Sequence, residues 1–259
     1  MPELPEVEAL ALDLGGRLAG RAFTKVHLAQ FSALKTFDPP LGALEGVLVD
    51  GVTRHGKFLD IDLSGTHLVM HLARAGWVRW RDEVPAAPPK PSPKSTIAAR
   101  IVLDDETGLD VTEAGTRKSL AMYVVRDPQE VPGIASLGPD PLTADFTRER
   151  LGEILQAEGR KQLKGVLRHQ GTIAGIGNAY SDEILHAARM SPYKPASSLD
   201  DDELTVVRRL AKASALALAG AGASVELAEH WGALHLAGDP VTAATRLVER
   251  ARELTTREG

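Results

Sequence analysis

The chain has no cysteine. Disulfides are therefore excluded, and so is any zinc site built on thiolates. Aromatic residues make up only 4%, so a core must be filled mostly by Leu, Val and Ala. There is no run of about 18 apolar residues, the length needed for a helix to span a membrane. The N-terminus lacks a basic stretch leading into an apolar one, the mark of a secretory signal. Excess positive charge is missing too, since the formal net charge is −5. DNA-binding domains are typically basic, so contact with nucleic acid would require a local basic face. These absences predict a cytoplasmic protein without a membrane anchor.

What is present is an ordinary globular composition, 43% hydrophobic over 259 residues, enough for one or two domains. Residues 3–19 read as a helix, with Val7, Leu10, Ala11, Leu14 and Leu18 at helical spacing. From Arg21 to about Val125 the chain breaks into short, partly alternating runs punctuated by Gly, Asp and Pro, the pattern of an antiparallel sandwich. The Pro-rich stretch 84–95 reads as a loop. Residues 131–147 carry prolines and glycines and read as a linker. Helical patterns follow to about residue 222, with Asp200 or Asp201 able to cap the last of them. The tail, 223–259, predicts one more helix from Pro240, capped by Asp239. The expected class is therefore α+β: a sandwich over 1–130 and a helical domain over 148–222, followed by a helical tail.

The opening residues, MPELPEVE, carry the first chemical signal. If Met1 is removed, the Pro2 nitrogen becomes a secondary amine at the chain terminus. An α-amino group has a pKa of about 7.7–8.0, so part of it is neutral near pH 7. Such an amine can attack a sugar carbon or an aldehyde and form a Schiff base. Glu3 and Glu6 stand beside it as proton donors or acceptors. By residue type alone, the same stretch is a plain helix start. Lys57, in HGKFL, sits beside a turn at Gly56, where lysine is normally solvated. In GIGNAYSDEIL, two glycines permit a tight turn before a helix starting near Ala179. The N–H groups of that helix form a natural phosphate site, and Asn178 adds a donor. GRKQLKGVLRHQ, at 159–170, is a local basic patch holding Arg160, Lys161, Lys164 and Arg168. His230 and His235 are too few to read as a metal site.

Three blocks together resemble the formamidopyrimidine-DNA glycosylase (Fpg) family: PELPEVE at the N-terminus, RHGKFL at 54–59 and GTIAGIGNAYSDEIL at 171–185. The resemblance covers about residues 2–222. It implies a sandwich and a helical domain with a helix–two-turn–helix motif, DNA lying between them. It also implies a bifunctional glycosylase/AP lyase that excises oxidised purines through a Pro2 Schiff base and cuts by β,δ-elimination. Pro2, Glu3, Glu6 and Lys57 would be catalytic. Lys57, His71, Arg74, Arg117, Lys118, Lys164, Gly177, Asn178 and Tyr180 would meet DNA. The expected partner is damaged or abasic DNA, bound by a monomer associated with the nucleoid.

The chain departs from the family in three places. Most relatives end in a four-cysteine zinc finger, which this chain cannot build, so no metal or other cofactor is expected. Arg74 stands where relatives usually have a space-filling methionine; it could fill that space or contact the orphaned base. TEAGTRKSL, at 112–120, stands where relatives carry an Arg-Arg-Phe loop, so Arg117 and Lys118 supply cations but the phenylalanine wedge is missing. Losing a wedge weakens recognition within an intact duplex. A second function class therefore stays open: a catalytically weak paralogue that binds damaged or abasic DNA without excising intact lesions.

Overall fold

The computed structural model describes residues 1–92 and 94–216. The expected tail helix, its Asp239 cap, His230 and His235 lie outside the described residues. The chain opens with helix α1 (Leu4–Leu18), for which Glu3 is the N-cap and Pro5 lies in the first turn. Proline is tolerated there because its missing N–H has no helical partner. Val7, Leu10, Ala11, Leu14 and Leu18 are all buried, as their spacing predicts.

Two antiparallel sheets follow. Strands β1 (Ala22–Leu28), β2 (Val47–Leu48), β3 (Gly51–His55), β4 (Phe58–Leu63), β5 (Thr66–His71), β6 (Gly76–Arg81), β7 (Ile97–Leu103), β8 (Gly108–Glu113) and β9 (Ala121–Val125) sort into the orders β2-β1-β7-β8-β6 and β3-β4-β5-β9. The inward residues of both sheets, among them Phe23, Leu59, Ile61, Met70, Ile101 and Val111, form one core with the apolar face of α1. With few aromatics available, Leu, Val, Ile and Ala fill most of it.

The stretch read as a linker contains a short helix, α2 (Pro132–Ala135). Val131 and Ile134 pack with Val69 and Val125 against the outer face of the second sheet. Burial of these apolar side chains explains why the segment is more than a spacer. Helices α3 (Arg148–Glu158), α4 (Leu163–Leu167), α5 (Asn178–Ala187) and α6 (Asp201–Leu216) complete the described chain. They share a separate core around Phe146, Leu167, Ile176, Tyr180 and Val207. Asp200 caps α6, its carboxylate accepting from the Glu203 N–H at 2.9 Å.

Arg54 joins the two halves. Its guanidinium lies 2.7 Å from Glu8 on α1 and 2.6 Å from Asp140 beyond α2, and it donates to the Gly56 carbonyl at 2.9 Å. His55 bonds Asp60 at 3.0 Å, and Asp60 also bonds His67 at 3.0 Å. Arg54 and His55 are thus both committed to partners inside the protein. Removing one member of a buried ion group strands the others, at a cost of about 3 kcal/mol. Arg54→Leu should lower the urea midpoint accordingly, whereas a surface control, Arg150→Leu, should shift it little. An unchanged midpoint for Arg54→Leu would show that the junction does not depend on this bridge.

Candidate active site at the junction of the two halves

The N-terminal segment is docked onto the turn that precedes α5. Leu4 donates its N–H to the Gly175 carbonyl at 3.0 Å. The Glu3 carboxylate accepts from the backbone N–H groups of Gly177 at 2.6 Å, Ala179 at 3.1 Å and Tyr180 at 3.3 Å. Glu3 therefore caps a helix 174 residues away in sequence, and only 3% of it is exposed. A carboxylate at a helix N-terminus gains from both the unsatisfied N–H groups and the helix dipole. These contacts alter one sequence expectation. The N–H groups expected to bind phosphate at α5 are largely occupied by Glu3, while Asn178 is exposed at the helix start.

Glycine is required for this approach. Gly175 has φ +85°, and a Cβ there would lie 2.8 Å from Leu4. A Cβ on Gly177 would lie 2.3 Å from Glu3 Oε1 and 2.5 Å from Lys57 Nζ. The same figures place the Lys57 amine beside the Glu3 carboxylate, over the backbone of Gly177. Lys57 occupies the two-residue turn between β3 and β4, where Gly56 has φ +56°. It is 6% exposed, contrary to the solvated position its residue type suggests. Burial pulls its pKa below the ordinary lysine value, while Glu3 and Glu6 oppose that shift.

Glu6 lies behind Glu3. It accepts from the Glu3 N–H at 2.9 Å and from the Tyr180 hydroxyl at 2.9 Å. Burial pushes its pKa up to about 7, an effect the neighbouring Glu3 charge reinforces. The terminal amine, here on Met1 with Pro2 next to it, falls below its ordinary value of 8.0. Burial is the main cause; Lys57 and Arg74 add to it, and Glu3 and Glu6 work against it. An amine, two carboxylates and a lysine thus meet where the sandwich abuts the helical half.

The remaining sequence candidates are distributed around this centre. His71 ends β5 with its ring 4.8 Å from that of Phe58; burial, with help from Lys57, lowers its pKa. Arg74 is exposed on the turn between β5 and β6, and Arg117 is exposed on the loop between β8 and β9. Lys118 donates to the Glu113 carbonyl. Tyr180 is buried, its hydroxyl committed to Glu6. The basic patch is less available than its sequence suggests. Lys161 pairs with Glu158 at 2.7 Å and Lys164 with Asp182 at 2.8 Å. Arg168 remains exposed and reaches Asn178 Oδ1 at 3.5 Å. The Lys164 pairing is hidden from a local reading because Asp182 lies 18 positions further on.

Comparison with known proteins identifies the family. Residues 1–122 match the formamidopyrimidine-DNA glycosylase N-terminal domain, and residues 137–226 match the H2TH domain of the same enzymes. The two together define a DNA glycosylase of the two-domain, helix–two-turn–helix class. The chain belongs to the formamidopyrimidine-DNA glycosylase family. A formamidopyrimidine-DNA glycosylase of Moorella thermoacetica is 34% identical over 213 residues, 80% of this chain and 74% of the relative. One from Corynebacterium aurimucosum is 34% identical over 238 residues, 87% and 78% of the two chains. Among solved structures, the MutM (Fpg) protein of Thermus thermophilus aligns with a TM-score of 0.68 at 33% identity, covering 88% of this chain and 77% of that one. MutM bound to DNA containing carbocyclic 8-oxo-G aligns with a TM-score of 0.74 at 25% identity, covering 88% and 84%.

The raised pKa of Glu6 makes a stability prediction. Its folded value, about 7, lies above its ordinary value of 4.5, so between those limits the folded state holds the extra proton. Stability from this group is complete below pH 4.5, falls as pH rises, and levels off above pH 7. Glu183, buried and also pushed up to about 7, titrates in the same window, so the comparison must be with Glu6→Gln. The variant should gain stability relative to the parent from pH 4.5 to 7 and hold a constant difference above it. Urea titrations across that range check this; a pH-independent difference would contradict a neutral buried Glu6.

Proposed function

We propose that this chain is a bifunctional DNA glycosylase/AP lyase acting on oxidised purines and abasic sites, with the Pro2 nitrogen as nucleophile. The observation carrying this reading is the gathering of the terminal amine, Glu6 and Lys57 around Glu3, which caps α5. Removal of Met1 exposes the Pro2 amine in an environment that already favours the neutral, nucleophilic form. The amine attacks the anomeric carbon of an everted nucleotide and the base departs. Glu3 takes the proton that the amine sheds on attack, passes it to the sugar ring oxygen as the ring opens, and then serves as proton acceptor in the elimination. Its three N–H contacts fix the carboxylate in place, and Lys57 beside it balances charge. Glu6 holds the Glu3 backbone through the Glu3 N–H. The Schiff base acidifies the neighbouring sugar carbon, so β- and then δ-elimination cut the strand.

Lys57 and Asn178 flank the start of α5 and suit the phosphate of the damaged nucleotide, with His71 next to Lys57. Arg74 and Arg117 are further proposed contacts, as are Lys118, Lys164 and Gly177, although Gly177 is buried and its N–H is already taken by Glu3. Lys118 and Lys164 already have internal partners, and Tyr180 acts through Glu6. No metal takes part in this scheme. The acidic net charge and the altered wedges favour a second reading, a binder of damaged or abasic DNA that leaves intact lesions alone. The intact cluster around Glu3 favours the enzyme.

Purified protein lacking Met1 should cleave an abasic-site duplex and leave phosphate on both sides of the gap. Glu3→Gln should lower the single-turnover rate at least about a hundredfold, in the range for loss of a general acid–base group. Lys57→Ala and Asn178→Ala should weaken binding and flatten its salt dependence, because fewer counterions are released; Lys212→Ala should do less. Cleavage of abasic DNA with no release of 8-oxoguanine or formamidopyrimidine would support the narrower reading. Binding without any strand cleavage would overturn the enzyme.

A further inference from the structure

The chain has five phenylalanines, and Phe31 and Phe37 are 70% and 86% exposed. Both lie on the segment that carries the chain from β1 towards β2. Burying such a ring against protein would stabilise the fold by about 1.5–3 kcal/mol, so firm exposure of an aromatic needs an explanation. The segment is pinned firmly. Ala29 and Gln30 donate their N–H groups to the Ala98 carbonyl, each at 2.9 Å, and Lys35 donates to the Met122 carbonyl at 2.8 Å. Leu34 forms a parallel bridge with Met122. Phe31 is therefore held outward from a fixed backbone.

Its neighbours decide what it faces. The buried Glu113 carboxylate organises the loop bearing Arg117 and Lys118, accepting from the N–H groups of Ser119 at 2.7 Å and Leu120 at 3.0 Å. The same carboxylate accepts from the side chain of Gln30, next to Phe31, at 3.5 Å. The loop is tied in turn to the Arg74 turn, Ala114 donating to the Ala75 carbonyl at 3.0 Å. Glu113 thus gathers three elements: the Phe31 segment, the Arg117 loop and, through Ala114, the turn whose Arg74 charge acts on the terminal amine. An exposed ring on a segment joined through Glu113 to the elements that carry exposed arginines suits an unstacked nucleobase, by ring stacking and by attraction of the strand's phosphates.

We infer that Phe31 is the stacking residue of this site, taking a base exposed next to the lesion, a role that the loop 114–120, which has no aromatic residue, cannot fill. This rests on the reading of the chain as an enzyme of damaged DNA and adds the residue that stabilises the opened strand. The wedge is thereby supplied from a different part of the sandwich. Phe37 stands near the opposite end of β9, where Thr36 accepts from the Val124 N–H and Asp38 pairs with Arg126. It lies away from the Arg117 loop and is the natural control.

The test measures binding to a duplex with a stable abasic-site analogue and to the same duplex with an unpaired bubble around it. Phe31→Ala should weaken binding by about tenfold, the loss typical of one stacked base, while Phe37→Ala and Phe31→Trp stay within about twofold of the parent. The indole fluorescence that Phe31→Trp adds to the parent signal should be quenched by the analogue duplex and not by a non-nucleic polyanion such as heparin. Equal effects of Phe31→Ala and Phe37→Ala, or an added indole that does not respond to DNA, would overturn the inference and leave the proposed function standing. A parent protein with no preference for the analogue over plain duplex would take down both. Quenching of the Phe31→Trp variant on self-association without DNA would overturn it in favour of a second copy of the chain.

Discussion

The Glu3 carboxylate under the N-terminus of α5 is the contact on which the rest of the arrangement depends. Hydrogen bonds to a charged group are each worth about 1.5–3 kcal/mol net, and three backbone N–H groups converge on this one. The contact fixes the start of the chain against the helical half, so the terminal amine is held at the junction between the two cores. It also imposes demands elsewhere. Gly177 must lack a Cβ, Gly175 must take a left-handed backbone, and Glu6 must hold the Glu3 N–H from a site so buried that it resists ionisation. The side chain that makes this cap is also the proposed acid–base group, so substitutions here should couple stability to chemistry.

The acidic total charge is compatible with a DNA-facing site because the charges are sorted by place. Several cations that look available in the sequence are consumed internally: Arg54 by Glu8 and Asp140, Lys161 by Glu158, and Lys164 by Asp182. Arg74, Arg117 and Arg168 are exposed on the elements around the centre. A few correctly placed cations give a local field that the net charge does not reveal. Binding by such a small set should be weaker, and less salt-dependent, than that of a strongly basic clamp.

Much of the fold is legible in the sequence because its signals are periodic. The apolar spacing of α1 and the short punctuated runs of the sandwich match the elements that form, and Asp200 caps α6 as its type suggests. The cluster at the N-terminus is legible only through the resemblance of three short blocks to a known family. By residue type, Lys57 reads as a surface lysine, yet Gly56 turns it inward over Gly177. The use of α5's N–H groups by Glu3 cannot be read, since nothing local links residue 3 to residue 177. The partners of Arg54 are hidden for the same reason. A linker reading of 131–147 is incomplete: its prolines mark a break, but Val131 and Ile134 are apolar residues that the outer face of the second sheet covers. Phe31 is a plain hydrophobe in the sequence and becomes informative only when its backbone is seen pinned.

The central claim is that the amine at the chain terminus, and not another amine of the site, attacks the sugar. Lys57 is the rival, since it is buried beside Glu3 with a lowered pKa. Borohydride reduction of the complex with abasic-site DNA, followed by proteolysis and tandem mass spectrometry, separates the two directly. The account predicts a single reduced adduct on the Pro2 nitrogen of the N-terminal peptide, absent from protein that retains Met1. An adduct on the Lys57 side chain, or efficient trapping by protein that keeps Met1, would contradict it.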